Sequence, residues 1–262
     1  TSVEVFYFGY SVTLPMLLAS PILHYRPQKI ISLVPSQTEL LYYLGLEAGV
    51  IAITKFCVHP DHWFHTKKRI GGTKQLHVSE IEALQPDLII ANKEENTKEQ
   101  IEALALKFPV WLTDVNHLPD AYQMILDIGQ LTHTGEKAAQ LCRDIQLQFQ
   151  LYKKNTIKPI RAAYFIWKEP CMVAASHTFI HHMMKEAGLA NAFNNKERYP
   201  QVSIPEIKLS GCQIGLLSSE PYPFKEKHIH EMQSLLPGIK FILTDGEMFS
   251  WYGSRLLKAP EY

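Results

Sequence analysis

No run of eighteen apolar residues occurs anywhere in the chain, so no segment reads as a membrane-spanning helix. The N-terminal apolar piece Val12–Ala19 has no charged stretch before it and is interrupted by Pro15, which makes a poor signal peptide. Two expectations follow: either a signal has been removed, or the protein was never exported. Net charge is also missing, since 26 basic residues balance 26 acidic ones. A neutral chain without a basic stripe argues against binding nucleic acid through its phosphates. The four cysteines, Cys57, Cys142, Cys171 and Cys212, lie far apart and form no CxxC pair, so neither a disulfide framework nor a zinc ribbon is indicated. Each sits in or beside apolar sequence, where a buried free thiol is the ordinary outcome; a disulfide stays open.

Catalytic signatures are equally scarce. There is no G-x-S-x-G elbow, no GxxxxGK[ST] loop and no G-x-G-x-x-G turn. The "GGTK" stretch at Gly71–Lys74 is too short to cradle a phosphate, and 13 glycines are few for a nucleotide enzyme. The expectation is a protein that is not an enzyme and carries no cofactor of its own.

What is present is an ordinary globular composition, with 46% hydrophobic and 20% charged residues in 262 positions. That length suits one large domain or two smaller ones. Short apolar runs rich in β-branched residues alternate with amphipathic stretches. "QKIISLV" (Gln28–Val34), "GVIAITKF" (Gly49–Phe56), "DLIIA" (Asp87–Ala91) and "PVWLTDV" (Pro109–Val115) read as buried parallel strands. Helices are expected between them. Ser36 with Glu39, and Ser79 with Glu82, have the capping-box spacing. From Pro119 to about Lys154 the apolar residues recur every three or four positions without a proline. This predicts one helix of some 35 residues, on the order of 50 Å long, with Gly129 and Gly135 as places for a kink. Alternation then resumes with strands at Ile160–Trp167, Met172–Ala175, Gln213–Ser218 and Ile239–Asp245. Helices are expected at His177–Leu189, from Ser203 and at Lys225–Leu236.

"VSEIEALQPDLIIANKEE" and "VSIPEIKLSGCQIGLLSSEP" repeat one pattern: Val-Ser, a short helix, a buried strand, then a polar acidic loop. The fold class expected is therefore α/β, two Rossmann-like parallel-sheet lobes joined by one long backbone helix. The boundaries are 1–118 for the N-terminal lobe, 119–155 for the helix and 156–262 for the C-terminal lobe. Ligands of open parallel sheets lie beyond the carboxyl ends of the strands, so two facing lobes make a cleft.

The densest group of metal-ligand residues is "KFCVHPDHWFH", Lys55–His65. Zinc requires three or four converging ligands. Pro60 forces a turn between the pair Cys57 and His59 and the pair His62 and His65. Three readings stay open. Phe56, His59 and Trp63 line a pocket for a large planar ligand; His59 is an axial ligand to a metal inside that ligand; or the motif is a polar surface loop capping the core. Other strand-end loops supply further candidates: Ser36 and Gln37 at a helix start, Lys93 in an acidic loop, Trp167, Tyr199 beside Arg198, Glu220 with Tyr222, and Phe249, Trp251, Tyr252 and Arg255 after the last strand. Aromatic rings at several strand ends of the second half suit a large apolar cofactor.

The stretches "QKIISLVPSQTELLYYLGL", "VIAITKF" and "GGTKQLHVSEIEALQPDLIIANKEENTKEQIEAL", followed in order by "YPQVSIPEI", resemble the ABC-transporter substrate-binding proteins for vitamin B12 and iron-siderophores. The resemblance covers about residues 28 to 252. It implies a periplasmic, monomeric binding protein that holds a corrinoid, haem or other ferric chelate between its lobes, closes little, and delivers the cargo to a membrane permease. It also implies one docking glutamate per lobe, for which Glu80 and Glu206 are the candidates, each about one residue later than the family pattern. The alternative from a different class is a cytoplasmic metal-cofactor handling protein or a hydrolase using the Cys57/His59 region.

Overall fold

The computed structural model describes residues 16–153 and 158–262, together with the backbone of 3–7 and 10–14. The apolar piece Val12–Ala19 lies partly outside the described residues. So do Lys154 and the expected boundary at 155/156. The chain forms two compact units. The first runs to Val115 and takes in Asp120–Asp144 and Tyr252–Ser254; the second comprises Asn116–Pro119, Ile145–Trp251 and Arg255–Tyr262.

In the first unit, β1 (Val3–Tyr7) and β2 (Tyr10–Leu14) pair as an antiparallel hairpin. The alternating part begins with β3 (Ile30–Ser32), α1 (Pro35–Tyr43), β4 (Val50–Ile53), α2 (Asp61–Thr66) and β5 (Lys68–Arg69). A small antiparallel pair, β6 (Gly71–Gly72) with β7 (Gln75–Leu76), precedes α3 (Val78–Leu84). Then follow β8 (Leu88–Asn92), α4 (Lys98–Ala105), β9 (Val110–Thr113) and α5 (Leu118–Leu131). The parallel sheet has the order β5-β4-β3-β8-β9. The chain leaves β3 in one direction to β4 and β5, then returns to build β8 and β9 on the other side. The direction changes between β3 and β8, the place in such sheets where ligand-facing loops diverge. Segment Met16–Leu18 runs along the outer edge of β9, with Val110 N–H donating to Met16 and Leu18 N–H to Val110. A covered edge leaves fewer unpaired backbone groups. Ile31, Leu33, Ala52, Ile89, Ala91 and Val110 form a core against Ile81, Ile101 and Leu104 of the flanking helices.

In the second unit, the end of α6 (Gly135–Leu151) is followed by β10 (Ile160–Trp167), β11 (Met172–Ala174), α7 (Phe179–Glu186) and β12 (Leu189–Asn191). Next come α8 (Ile204–Leu209), β13 (Ile214–Ser218), α9 (Glu226–Leu235), β14 (Lys240–Thr244) and the short α10 (Glu247–Ser250). β10, β13 and β14 are parallel neighbours in that order. The other edge of β10 is shared: its start pairs parallel with β12 and its end pairs antiparallel with β11. Alternation along β10 divides the core. Ala163 and Phe165 join Phe241 and Leu217 on one face, whereas Ala162, Tyr164 and Ile166 meet Ile180 and Met184 of α7 on the other.

The α/β class and parallel sheets follow the sequence pattern, with corrections in detail. The single connecting helix is two helices, α5 and α6, separated by Thr132–Thr134. His133 takes a left-handed conformation, φ 57°, and Thr134 N–H bonds back to Gly129. Gly129 is needed for packing rather than for a kink, because a Cβ there would sit 2.4 Å from Ala138 Cβ. Two of the expected caps are absent. α1 starts from Val34, so Ser36 is its second residue; α3 starts from His77, so Ser79 is inside it. The Ser203/Glu206 capping box of α8 is present.

Candidate ligand-binding site

The opening of the Lys55–His65 motif lies just past the carboxyl end of β4. There the chain turns, Cys57 N–H bonding to Thr54 O, and the thiol points inward. Cys57 is fully buried, with its sulfur 3.1 Å from Thr38 Oγ1 and 3.2 Å from Thr54 Oγ1. Burial pushes its thiol pKa up, against the lowering effect of the two hydroxyls. A nucleophilic cysteine needs the opposite environment, exposed and electropositive. The hydrolase alternative loses its nucleophile here.

Phe56 takes the outward position and is 50% exposed. Lys55 Nζ lies 5.1 Å from its ring centroid. A Cβ on Gly72 would approach the ring to 3.1 Å, so the glycine makes room for it. His59 is half-buried. Trp63 is a correction to the sequence reading. It is fully buried in α2, edge-on to Tyr42 at 5.5 Å between centroids, with Lys67 Nζ 5.2 Å from its ring. It is a core residue rather than a pocket wall, because α2 turns it inward against α1. His62 pairs with Glu47 at 3.1 Å, while His65 bonds the Asp61 carbonyl at 2.9 Å. The two rings have separate partners, and among the described residues no group of three His, Cys, Asp or Glu is set to hold a metal.

The carboxyl ends of β8 and β9 are fastened by buried amides and hydroxyls. Gln37 Nε2 donates to Thr113 Oγ1 at 2.6 Å, and Asn92 Nδ2 donates to the same oxygen at 3.1 Å. Asn96 Nδ2 reaches the Thr73 carbonyl at 3.1 Å, and Asn92 N–H donates to Asn96 Oδ1 at 2.9 Å. Ser36 and Gln37 are buried. Their sequence-based place as ligand contacts is thus corrected for Gln37 to a strut joining α1 to β9. Lys93 is exposed and paired with Asp114 at 2.9 Å. The sequence reading did not single out Asn92, Asn96 and Thr113; Asn92 and Thr113 are marked as polar residues ending the apolar strands β8 and β9, whereas Asn96 lies in the loop before α4 and carries no such signal.

The second unit carries two aromatic groupings at strand ends. The first is outward. Trp167, ending β10, is 39% exposed and edge-on to Tyr222 at 5.6 Å. Tyr222 packs on Phe224 at 4.7 Å and lies 5.5 Å from the His228 ring. The second is inward. Glu220 Oε1 accepts Ser250 Oγ at 2.6 Å and the Trp251 indole N–H at 2.9 Å. Arg255 lies 5.0 Å from the Trp251 ring and bonds Glu247 at 2.8 Å. Burial raises the Glu220 carboxyl pKa, with Glu247 and Asp245 adding to it and the two hydrogen bonds opposing. Trp251 and Tyr252 are buried, and Tyr199 and Phe249 pack against the core around Tyr164, so these four are not the open walls that the sequence suggested. Gly246 is required, since a Cβ would meet Glu220 Cγ and Ser218 Oγ at 2.5 Å.

Glu80 and Glu206 occupy equivalent places, each the third residue of its helix, α3 and α8. Glu80 bonds Lys68 at 3.0 Å and His77 at 2.8 Å, and these two partners, Lys68 first, lower its pKa. Glu206 bonds Lys196 at 2.7 Å and the Ser203 N–H at 2.7 Å, which lowers its pKa to about 2. Both side chains remain partly exposed.

A family model described as periplasmic binding protein matches residues 30–215. The chain belongs to the periplasmic binding protein family. It is similar to the vitamin B12-binding protein of Vibrio parahaemolyticus, 27% identical over 199 residues, 74% of this chain and 72% of that one. It is 25% identical over 246 residues to the vitamin B12-binding protein of Pectobacterium atrosepticum, covering 90% and 86% of the two chains. The crystal structure of periplasmic vitamin B12 binding protein BtuF of Vibrio cholerae aligns with a TM-score of 0.75 at 25% identity, covering 89% of this chain and 94% of that one. The periplasmic heme-binding protein RhuT from Roseiflexus, apo form, shares the fold with a TM-score of 0.78 at 17% identity, covering 89% and 95%.

Proposed function

We propose that the chain is the substrate-binding component of an ABC importer and holds a corrinoid of the cobalamin type. One observation carries the reading: each unit presents an exposed aromatic ring at the carboxyl end of a parallel strand, Phe56 after β4 and Trp167 at the end of β10. Flat apolar rings suit a macrocycle too large for an enclosed pocket. The relatives named vitamin B12-binding proteins support a corrinoid over a ferric siderophore or haem. The metal comes with the cargo, and His59 is the axial partner to test. The site of action is the periplasm, as for the relatives. Glu80 and Glu206 dock on basic residues of the permease: they are matched in position, partly exposed and held in the ionised state.

The test is titration of the protein with cyanocobalamin, cobinamide, haem and a ferric siderophore, followed by calorimetry and by the visible bands of each chelate. A corrin band shift with saturable heat is the expected result. Haem or siderophore binding without corrinoid binding changes the cargo, and silence with all four overturns the reading.

A further inference from the structure

His228 is a titratable group that the cargo-binding reading leaves unused, and its surroundings are specific. The ring is 4% exposed. It is the third residue of α9, and its Nδ1 accepts the backbone N–H of Lys225, the residue before the helix, at 2.8 Å. A ring nitrogen that accepts an N–H carries no proton. The single proton of the neutral ring therefore sits on Nε2, which faces the Tyr222 hydroxyl oxygen at 3.4 Å. Tyr222 in turn supports the edge of Trp167. His228 so joins the start of a helix to the outward aromatic grouping. Its place in α9 is the one that Glu206 holds in α8, where a carboxylate accepts the same N–H.

We propose that His228 is a positioning residue: its neutral ring holds Tyr222, and through it Trp167, in the cargo-binding arrangement, and protonation of the ring releases both, so that cargo is held at neutral pH and loosened by acid. This rests on the reading that Trp167 and Tyr222 touch the cargo. A second ring proton would point Nδ1–H at the Lys225 N–H, donor against donor, and the imidazole would have to turn out of its place. The groups facing it act together. Lys168 at the end of β10, and Lys225 and Lys227 at the start of α9, oppose a positive ring. Glu231 favours one, but it is already bonded to Lys168 at 2.5 Å. Burial, the largest influence, lowers the imidazole pKa from its ordinary 6.5. The neutral ring thus prevails at pH 7, and its contribution is lost as the pH falls below 6.5 toward the lower folded value.

The experiment measures the affinity for cyanocobalamin by calorimetry from pH 7.5 down to 5.0, on the whole protein and on His228→Asn. Asparagine puts an amide oxygen near the Nδ1 position and does not titrate. The wild type should weaken by roughly threefold to tenfold toward acid, the size of an aromatic contact, and the variant should keep a flat profile. In parallel, nitrogen NMR of the wild-type imidazoles should place the His228 proton on Nε2 at pH 7.5, with the Lys225 amide shifting at the same midpoint. Identical pH profiles in the two proteins overturn the proposal, and so does a proton on Nδ1. If the variant does not fold, the NMR result on the wild type decides. Absence of cyanocobalamin binding by the wild type at every pH sinks the cargo reading, and with it the release of cargo, while the tautomer and the shared midpoint still report on the His228 arrangement separately.

Discussion

The Trp251 indole donates its N–H to the Glu220 carboxylate at 2.9 Å, fastening the loop after β14 to the loop after β13. Arg255 lies over the same indole and Gly246 lets the two loops approach. The tie has a cost at neutral pH, because it keeps a carboxylate in a buried place that raises its pKa above the ordinary 4.5. The folded state holds that proton more tightly than the unfolded one. Stability from this group is therefore greatest below 4.5 and falls as the pH rises through the folded value. Glu220→Gln removes the charge and keeps one amide oxygen as acceptor. Its melting temperature should gain on the wild type as the pH is raised from 4 to 8, with no gain at pH 4. An equal difference at both ends would contradict the assignment.

Trp63→Ala should act on stability rather than on cargo. The ring is fully buried against Tyr42, so truncation opens a cavity and costs about 3–5 kcal/mol. Urea unfolding reads this directly. Calorimetry on the folded fraction should show unchanged affinity for cyanocobalamin. A stable variant with lost binding would return Trp63 to the pocket.

Strands and helices were largely legible because apolar residues repeat at two spacings, and β10 lies at Ile160–Trp167 as its sequence indicates. The site was harder to read. Phe56 and Trp63 are seven apart in one motif and look alike in the sequence, yet one is half exposed and the other enclosed. That difference depends on which way α2 turns, and Tyr42, on another helix, decides it. Trp251 similarly looked like a wall residue, and only the Glu220 carboxylate, thirty-one positions earlier, shows it held inward. The Val-Ser repeat aligns Glu206 with Glu82, and only the different starts of α3 at Val78 and α8 at Ile204 make Glu80 its counterpart. The partners of Glu80 and Glu206 were not legible either, because Lys68 precedes its glutamate by twelve residues and Lys196 by ten.

Phe56→Ala and Trp167→Ala test, one unit at a time, the two rings proposed to meet the cargo. Each ring is exposed, so removing it should leave the melting temperature nearly unchanged. If the ring stacks on a corrin, the affinity should drop by about 0.5–1.5 kcal/mol for each substitution. Equal affinity in both variants would move the binding surface away from these strand ends.

The proposed docking role of Glu206 can be separated from its part in folding. Its bonds to Lys196 and Ser203 lower the carboxyl pKa to about 2, so the stability they contribute is present above the ordinary 4.5 and is lost as the pH falls toward 2. Glu206→Gln should therefore melt below the wild type at pH 7 and converge with it near pH 2. Ser203→Ala removes the other half of the capping box at a cost of about 1 kcal/mol. The two variants share the stability defect and differ in charge. In spheroplasts carrying the importer, cyanocobalamin uptake should fall with Glu206→Gln and with Glu80→Gln, at unchanged affinity in solution, and should persist with Ser203→Ala. Uptake that follows stability alone, falling equally with Ser203→Ala, would make Glu206 a helix cap and nothing more.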